Sequence, residues 1–235
     1  MRRGMYRKTI TAAVFLWLCA CGSSVISEGV SREGLLQAAA EDFDQGRWSR
    51  ASLLYTELQF RFPGDELYDF FLLRGAMCNR EMRQWADAEF GFYRVVNEFP
   101  RSAWADDAQL ALAQTLWMQR RDHRRDPAPV SRAREETRLF LERYPGSELR
   151  SQAEDLLSEI DDHLARRALD TGRFYLRRNK PDAAILYLRE ALESYPEASS
   201  RGRILLTIGD AYRAQGNDYS AGSYYRRAVN EGALT

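Results

Sequence analysis

The 235-residue chain is short of lysine, histidine and cysteine, and each shortage closes off a class of function. Lysine occurs only at Lys8 and Lys180, so nearly all the positive charge is arginine, the side chain suited to bidentate carboxylate contacts. Thirty-four basic residues are balanced by thirty-four acidic ones, and neutrality of this kind argues against a nucleic-acid-binding footprint. The two histidines, His123 and His163, have no Cys or His neighbours at metal-ligand spacing, and Asp161-Asp162-His163 reads as a solvated helix face. Cys19 and Cys21 lie near the start, leaving Cys78 alone in the body of the chain, so no disulfide framework can form there. A Gly-x-Ser-x-Gly elbow, a phosphate-cradling glycine loop and a zincin motif are all missing. The expectation is a binding protein with no catalytic residues, no metal and no cofactor.

The start of the chain carries a different signal. Arg2, Arg3, Arg7 and Lys8 precede an apolar run from Ile10 to Ala20, the charged and hydrophobic regions of a secretory signal. About 20 apolar residues are needed to span a bilayer, so this run is too short for a membrane helix. It ends in Leu18-Cys19-Ala20-Cys21, which resembles the bacterial lipoprotein cleavage box, with Cys21 as the lipidated first residue and residues 1–20 as the removed peptide. Cys19 is the poorer acceptor, because bulky Leu18 would sit at the cut. Three acyl chains with on the order of 40 methylenes, at ~0.8 kcal/mol each, make such an anchor effectively permanent. Gly22, Ser23 and Ser24 lack the Asp that retains such lipoproteins in the inner membrane, so the resemblance implies the outer membrane, facing the periplasm. Residues 21–31 then form a short tether. Removal of the leader leaves 30 basic against 34 acidic residues, a mildly acidic mature chain.

Residues 32 to 235 lack alternating strand patterns and instead show helical apolar spacing punctuated by Phe62-Pro63, Phe99-Pro100, Tyr144-Pro145 and Tyr195-Pro196. A recurring terminator means a recurring unit, and the 34-residue tetratricopeptide helix pair fits it. The fourth copy is clearest, with Gly172, Tyr175, Ala184, Ala191 and Pro196; the fifth has Gly209, Tyr212, Gly216, Ala221, Tyr225 and Ala228. The first reads Ala39, Gly46, Ala51, Tyr55 and Pro63, and the second Ala76, Ala88, Phe92 and Pro100. The third, with Ala133, Phe140 and Pro145, is interrupted between Arg121 and Pro129, its second helix opening near Ser131. Proline spacings of 37, 45 and 51 residues locate this loop and a second elaboration. That second one is a helix after Pro145 approaching thirty residues, or ~45 Å. The expected fold is all-α, a tetratricopeptide superhelix of about five helix pairs, with repeats one to three over 32–145 and the extended helix with repeats four and five over 146–235.

Such a superhelix offers a concave groove lined by its first helices. Consensus groove positions place Phe43, Phe70, Leu73, Met77, Leu110 and Trp117 in the N-terminal half, predicting an apolar groove for an extended peptide. Arg166, Arg173, Arg177, Arg203 and Arg213 fall in the C-terminal half, predicting a dock for an acidic protein surface. The alternative for the N-terminal set is that Phe70, Leu73 and Trp117 are core residues or lie under the insertion. Burial decides between them.

Lipobox, tether, five repeats and two elaborations together resemble the BamD family, the tetratricopeptide lipoproteins of the outer-membrane β-barrel assembly machinery. The resemblance is most specific in the insertion, Tyr144-Pro145-x-Ser147, Leu164-Ala165, Phe174-Tyr175, Tyr195-Pro196 and Ala211-Tyr212-Arg213. It implies a non-enzymatic scaffold whose C-terminal half binds the periplasmic domains of a BamA-like insertase. The N-terminal repeats would receive the C-terminal segments of unfolded barrel precursors, alongside other assembly lipoproteins. One departure stands out: Ala168 occupies a position where the family usually has Glu, so a contact made by that Glu does not carry over. Phe99-Pro100-x-Ser102 followed by Ala105-Asp106-Asp107-Ala108 also occurs in coordinator-type repeats, so a pilus-assembly pilotin or cell-envelope coordinator is the alternative. A peptidoglycan hydrolase or its regulator is the alternative of another class.

Overall fold

The computed structural model describes residues 30–120 and 128–231. The cleavage box with Cys21, most of the tether, and residues 121–127 with His123 lie outside the described residues. Among the described residues the unit from Arg32 onward has only helices as regular elements: α1 (Arg32–Asp44), α2 (Trp48–Arg61), α3 (Tyr68–Glu81), α4 (Trp85–Glu98), α5 (Ala105–Met118), α6 (Ala128–Arg143), α7 (Arg150–Arg177), α8 (Pro181–Ser194), α9 (Arg201–Ala214) and α10 (Asp218–Asn230). Each helix packs mainly on its neighbours in sequence, and α3 with α5, α5 with α7 and α7 with α9 touch across repeats, the arrangement of a tetratricopeptide superhelix.

Two turn types recur, and each follows from a few residues. After the second helix of repeats one to four, the aromatic of the aromatic-proline pair ends the helix, because the residue before proline is pushed out of the α region. Phe62, Phe99 and Tyr195 accordingly have φ of −127°, −128° and −131°. The amides of Asp65, Ser102, Ser147 and Ala198 then bond back to the carbonyls of Phe62, Phe99, Tyr144 and Tyr195 at 2.9–3.3 Å, aiming the next helix antiparallel. Within repeats one, two, four and five, the first helix ends on a left-handed residue: Gly46, Arg83, Asn179 or Gly216. Each is followed by an amide bonding five residues back, from Arg47, Gln84, Lys180 and Asn217 at 2.8–3.0 Å, a Schellman-type stop. Repeat three has residues 121–127 at this place. Its second helix begins at Ala128, three residues earlier than expected, because Pro129 sits in the first turn, where its missing N–H costs nothing.

The consensus small residues are where helices touch. Ala39, Ala51, Ala76, Ala88, Ala133, Ala184, Ala191, Ala221 and Ala228 are all buried. A Cβ on Gly172 would come within 2.6–2.7 Å of the Leu188 side chain, and one on Gly209 within 2.4 Å of the Tyr225 ring. The buried apolar residues form two clusters, Leu72 to Leu164 and Ala165 to Ala211, which meet in sequence within the 28-residue α7, ~42 Å long. Repeats three and four are also tied by polar contacts: Arg134 bonds Asp161 at 2.5 Å and the Ser194 carbonyl at 2.7 Å, and lies 5.0 Å from the Tyr195 ring centroid. Cys78 is fully buried, and burial pushes its thiol up to about 12, so it is a packing residue.

Candidate peptide and partner grooves

The first helices carry the groove residues, and the structure sorts the N-terminal six into two groups. Leu73 and Leu110 are buried core residues. The expectation that they line a groove is corrected here. α3 and α5 each lie between two second helices, those of their own repeat and the preceding one, so their buried arc is wide enough to include them. Trp117 is also in the core, 9% exposed, with the Arg120 guanidinium 4.2 Å from its ring centroid and His163 of α7 packed edge-on at 5.3 Å. It is covered from α7 and by its own C-terminal neighbour, and does not face an open groove.

Phe43, Phe70 and Met77 are half-buried. Phe43 packs edge-on against Trp48 and Tyr55 at 5.1 and 6.4 Å, while Phe70 meets Tyr55 at 6.4 Å and Trp104 at 5.2 Å. Between them lies Arg74, with its guanidinium carbon 4.3 Å from the Phe43 centroid and 5.1 Å from that of Phe70. The N-terminal groove is therefore an aromatic row with a cation in it. Arg74 was not legible from consensus groove positions, although its i+4 spacing from Phe70 is a signal for an aromatic-cation pair on one helix face. Further along, Asp107 has its carboxyl raised, first by burial and then by Asp106, with Arg74 opposing the rise.

The C-terminal arginines divide as well. Arg173, Arg177 and Arg203 converge with Leu176, Leu206, Thr207 and Asp210 on a cavity of about 340 Å³ between α7 and α9. None of these three arginines forms an ion pair among the described residues. Arg166 and Arg213 lie outside that lining and are partly neutralised on their own helices, by Asp162 at 3.8 Å and Asp210 at 3.6 Å. Arg173 and Arg177 also border a second cavity of about 530 Å³, where Arg167 joins Asp170, Thr171, Phe174 and Tyr175. Arg167 lies one residue off the consensus stripe, which is why sequence spacing passes over it. Ala168 opens onto a third cavity, about 270 Å³, bordered by Arg167, Tyr187 and Glu190, with Tyr187 stacked on Tyr175 at 5.3 Å. The site holds more arginine than carboxylate, Arg167, Arg173, Arg177 and Arg203 against Asp170 and Asp210, beside Leu176, Leu206 and Phe174, a combination that binds carboxylates and acidic surfaces. Among the described residues, no group of His, Cys, Asp or Glu is placed to hold a metal, and no helix is long and apolar enough to cross a membrane.

Comparison with known proteins gives a consistent picture. The family model described as YfiO, outer membrane lipoprotein, matches residues 30–226. The chain is similar to the outer membrane protein assembly factor BamD of Caulobacter vibrioides, 26% identical over 180 residues that cover 77% of this chain and 59% of that protein. A protein of the same name from Xylella fastidiosa is 21% identical over 222 residues, covering 88% of this chain and 75% of the relative. The chain thus spans 59% of the length of the Caulobacter relative. Among solved structures, a thermophilic TPR protein of Thermus thermophilus is 16% identical, covers 87% of this chain and 93% of its own, and has a TM-score of 0.42.

Proposed function

Because the chain belongs to the YfiO family of outer membrane lipoproteins, we propose that it is a non-enzymatic scaffold for outer-membrane protein assembly, docking a protein partner through its last two repeats and an extended peptide through its first three. The observation that carries this reading is the convergence of Arg173, Arg177 and Arg203 on one groove without internal carboxylate partners. Asp210 on the same cavity is engaged by Arg213 and Tyr225, so the three arginines beside Leu176 and Leu206 keep their donors for an acidic partner surface. The partner we assign is the periplasmic part of a BamA-like insertase, within a complex that includes other assembly lipoproteins. The contact uses arginine at positions of this chain's own, since Ala168 supplies no carboxylate.

The N-terminal half supports the second part of the reading in a narrower form than the sequence suggests. Phe43, Phe70 and Met77, with Trp104 at the edge, remain available as an apolar wall for the C-terminal segments of unfolded barrel precursors, whereas Leu73, Leu110 and Trp117 do not. A lipid anchor at Cys21 holds the scaffold to the outer membrane on its periplasmic side, where it raises the local concentration of precursors near the insertase. Native purification in mild detergent tests the proposal. Recovery of a multi-domain β-barrel insertase that is lost on Arg173→Glu/Arg177→Glu/Arg203→Glu substitution supports it. Recovery of secretin or pilus components instead, or a muropeptide-releasing activity, refutes it in favour of a pilotin or a hydrolase regulator.

A further inference from the structure

The first two repeats contain six half-buried arginines, and five of them hold a carboxylate. Arg32 pairs with Asp65, Arg47 with Asp42, Arg61 with Glu57, Arg80 with Glu81 and Arg94 with Glu98. Arg74 is the exception: among the described residues it forms no ion pair and donates no hydrogen bond, its ring contacts are Phe43 and Phe70, and the half-buried Asp107 carboxyl feels its charge only through space, without a direct pair. Stacking on a ring uses the face of a guanidinium. Its five N–H donors lie in the plane and remain unspent. A half-buried cation left in this state carries an unfilled demand for a planar anion, and the ring contacts have already removed much of the water and rotamer freedom that an incoming anion would otherwise have to displace.

The surroundings specify what brings that anion. Phe43 comes from α1, Phe70 and Met77 from α3, and Trp104 caps the start of α5, so three successive repeats present apolar surface around one cation. We propose that Arg74 is a carboxylate seat, receiving bidentately the carboxylate of an extended apolar peptide whose adjacent side chain packs against Phe43, Phe70 and Trp104. This rests on the reading that the N-terminal groove takes peptides. The carboxylate has two possible sources, the peptide's C-terminus or an acidic side chain. The aromatic wall on one side of the cation and Asp107 within its field leave little room for a further side chain, which favours the terminus, because it carries its charge with no intervening side-chain methylenes.

Fluorescence anisotropy with the full-length protein in detergent tests this. The probes are three labelled octapeptides of alternating valine and tyrosine: one ending in phenylalanine with a free carboxylate, the same peptide as its C-terminal amide, and an amidated version with glutamate in place of the penultimate residue. The free acid should bind at least about tenfold more tightly than the amide, in keeping with a charge-assisted bidentate contact. Arg74→Gln should bring the ratio of acid to amide affinity down to about one, whatever it does to amide binding itself, with the helical circular dichroism retained, and Arg74→Lys should restore the preference in part. Tight binding of the glutamate-bearing amide keeps Arg74 as the seat and assigns the carboxylate to a side chain. Equal binding of acid and amide by the unsubstituted protein, or a preference that survives Arg74→Gln, overturns the seat but leaves the peptide groove standing. Binding of none of the three overturns both.

Discussion

Two glycine-to-alanine substitutions, Gly91→Ala in α4 and Gly222→Ala in α10, should change stability in opposite directions, and the sign of each can be worked from the neighbours. In both helices alanine gains roughly 1 kcal/mol of intrinsic propensity over glycine. At Gly222 the added methyl meets only the Arg226 guanidinium, at 3.5 Å, so most of that gain should be realised. At Gly91 the methyl would lie 2.7 Å from the Ala76 Cβ and 3.4 Å from its Cα, with the Leu72 carbonyl at 3.7 Å. Carbon atoms rest about 3.5–4.0 Å apart, and Ala76 has no rotamer to move, so α3 and α4 must separate by roughly 1 Å. Overpacking of this kind costs about 1–3 kcal/mol, and a backbone-borne methyl on each side puts it at the upper end. Gly91→Ala should therefore destabilise by about 2 kcal/mol net, against a gain of about 0.5–1 kcal/mol for Gly222→Ala. Urea unfolding followed by far-ultraviolet circular dichroism measures both. Because α3 also carries Phe70, Arg74 and Met77, the first substitution should weaken peptide binding as well. A Gly91→Ala protein as stable as the original would refute the close-packing argument for the second repeat.

Other expectations follow from single contacts. Cys21→Ala should leave the helical spectrum intact and move the protein to the soluble fraction; retention on membranes after a high-salt wash, with the partner absent, contradicts the lipid anchor. Arg134→Ala removes the Asp161 pair, the bond to the Ser194 carbonyl and the contact with Tyr195, and should destabilise by about 2 kcal/mol; a loss under about 0.5 kcal/mol would mean that the junction of repeats three and four does not depend on it. The hydrogen bond from Arg32 holds the Asp65 carboxyl below the ordinary carboxylate range, so its stabilising contribution is full above the unfolded value of about 3.9 and fades as pH falls through the lower folded value. Arg32→Gln should therefore be less stable than the original at pH 7, with the gap narrowing steadily below about pH 4, and a gap independent of pH would rule the pair out as its cause. Cys78 should react with maleimide only as fast as the protein unfolds, and rapid labelling of the native protein would show that the second repeat is open.

Much of the fold is legible in the sequence because its signals are local. An aromatic-proline pair stops a helix through sterics between adjacent residues, and a small residue at a fixed spacing marks a helix contact wherever the repeat recurs. Both held at all four proline sites and at the buried alanines. The long helix is visible for the same reason, since Leu149 to Ala168 keep one apolar periodicity, and it runs from Arg150 to Arg177. The groove is less legible. Leu73, Leu110 and Trp117 occupy consensus groove positions, yet how much of a first helix is covered depends on the helices of the preceding repeat and, for Trp117, on His163 of α7, 46 residues away in sequence. Spacing within one helix carries no information about that cover.

The same division holds for charge. The sequence by itself determined that the chain would use arginine, that it would be helical and repetitive, and that basic residues would recur along α7 and α9. Only the tertiary structure decided which of those arginines are available. Arg166 and Arg213 are ion-paired within a helical turn; Arg173, Arg177 and Arg203 come from two helices and meet on one cavity; and Arg74 lies between rings brought together from α1 and α3. Whether a cation is neutralised, crowded or left unspent depends on distances between helices, and those are set by the small residues at the contacts rather than by the charged residues themselves.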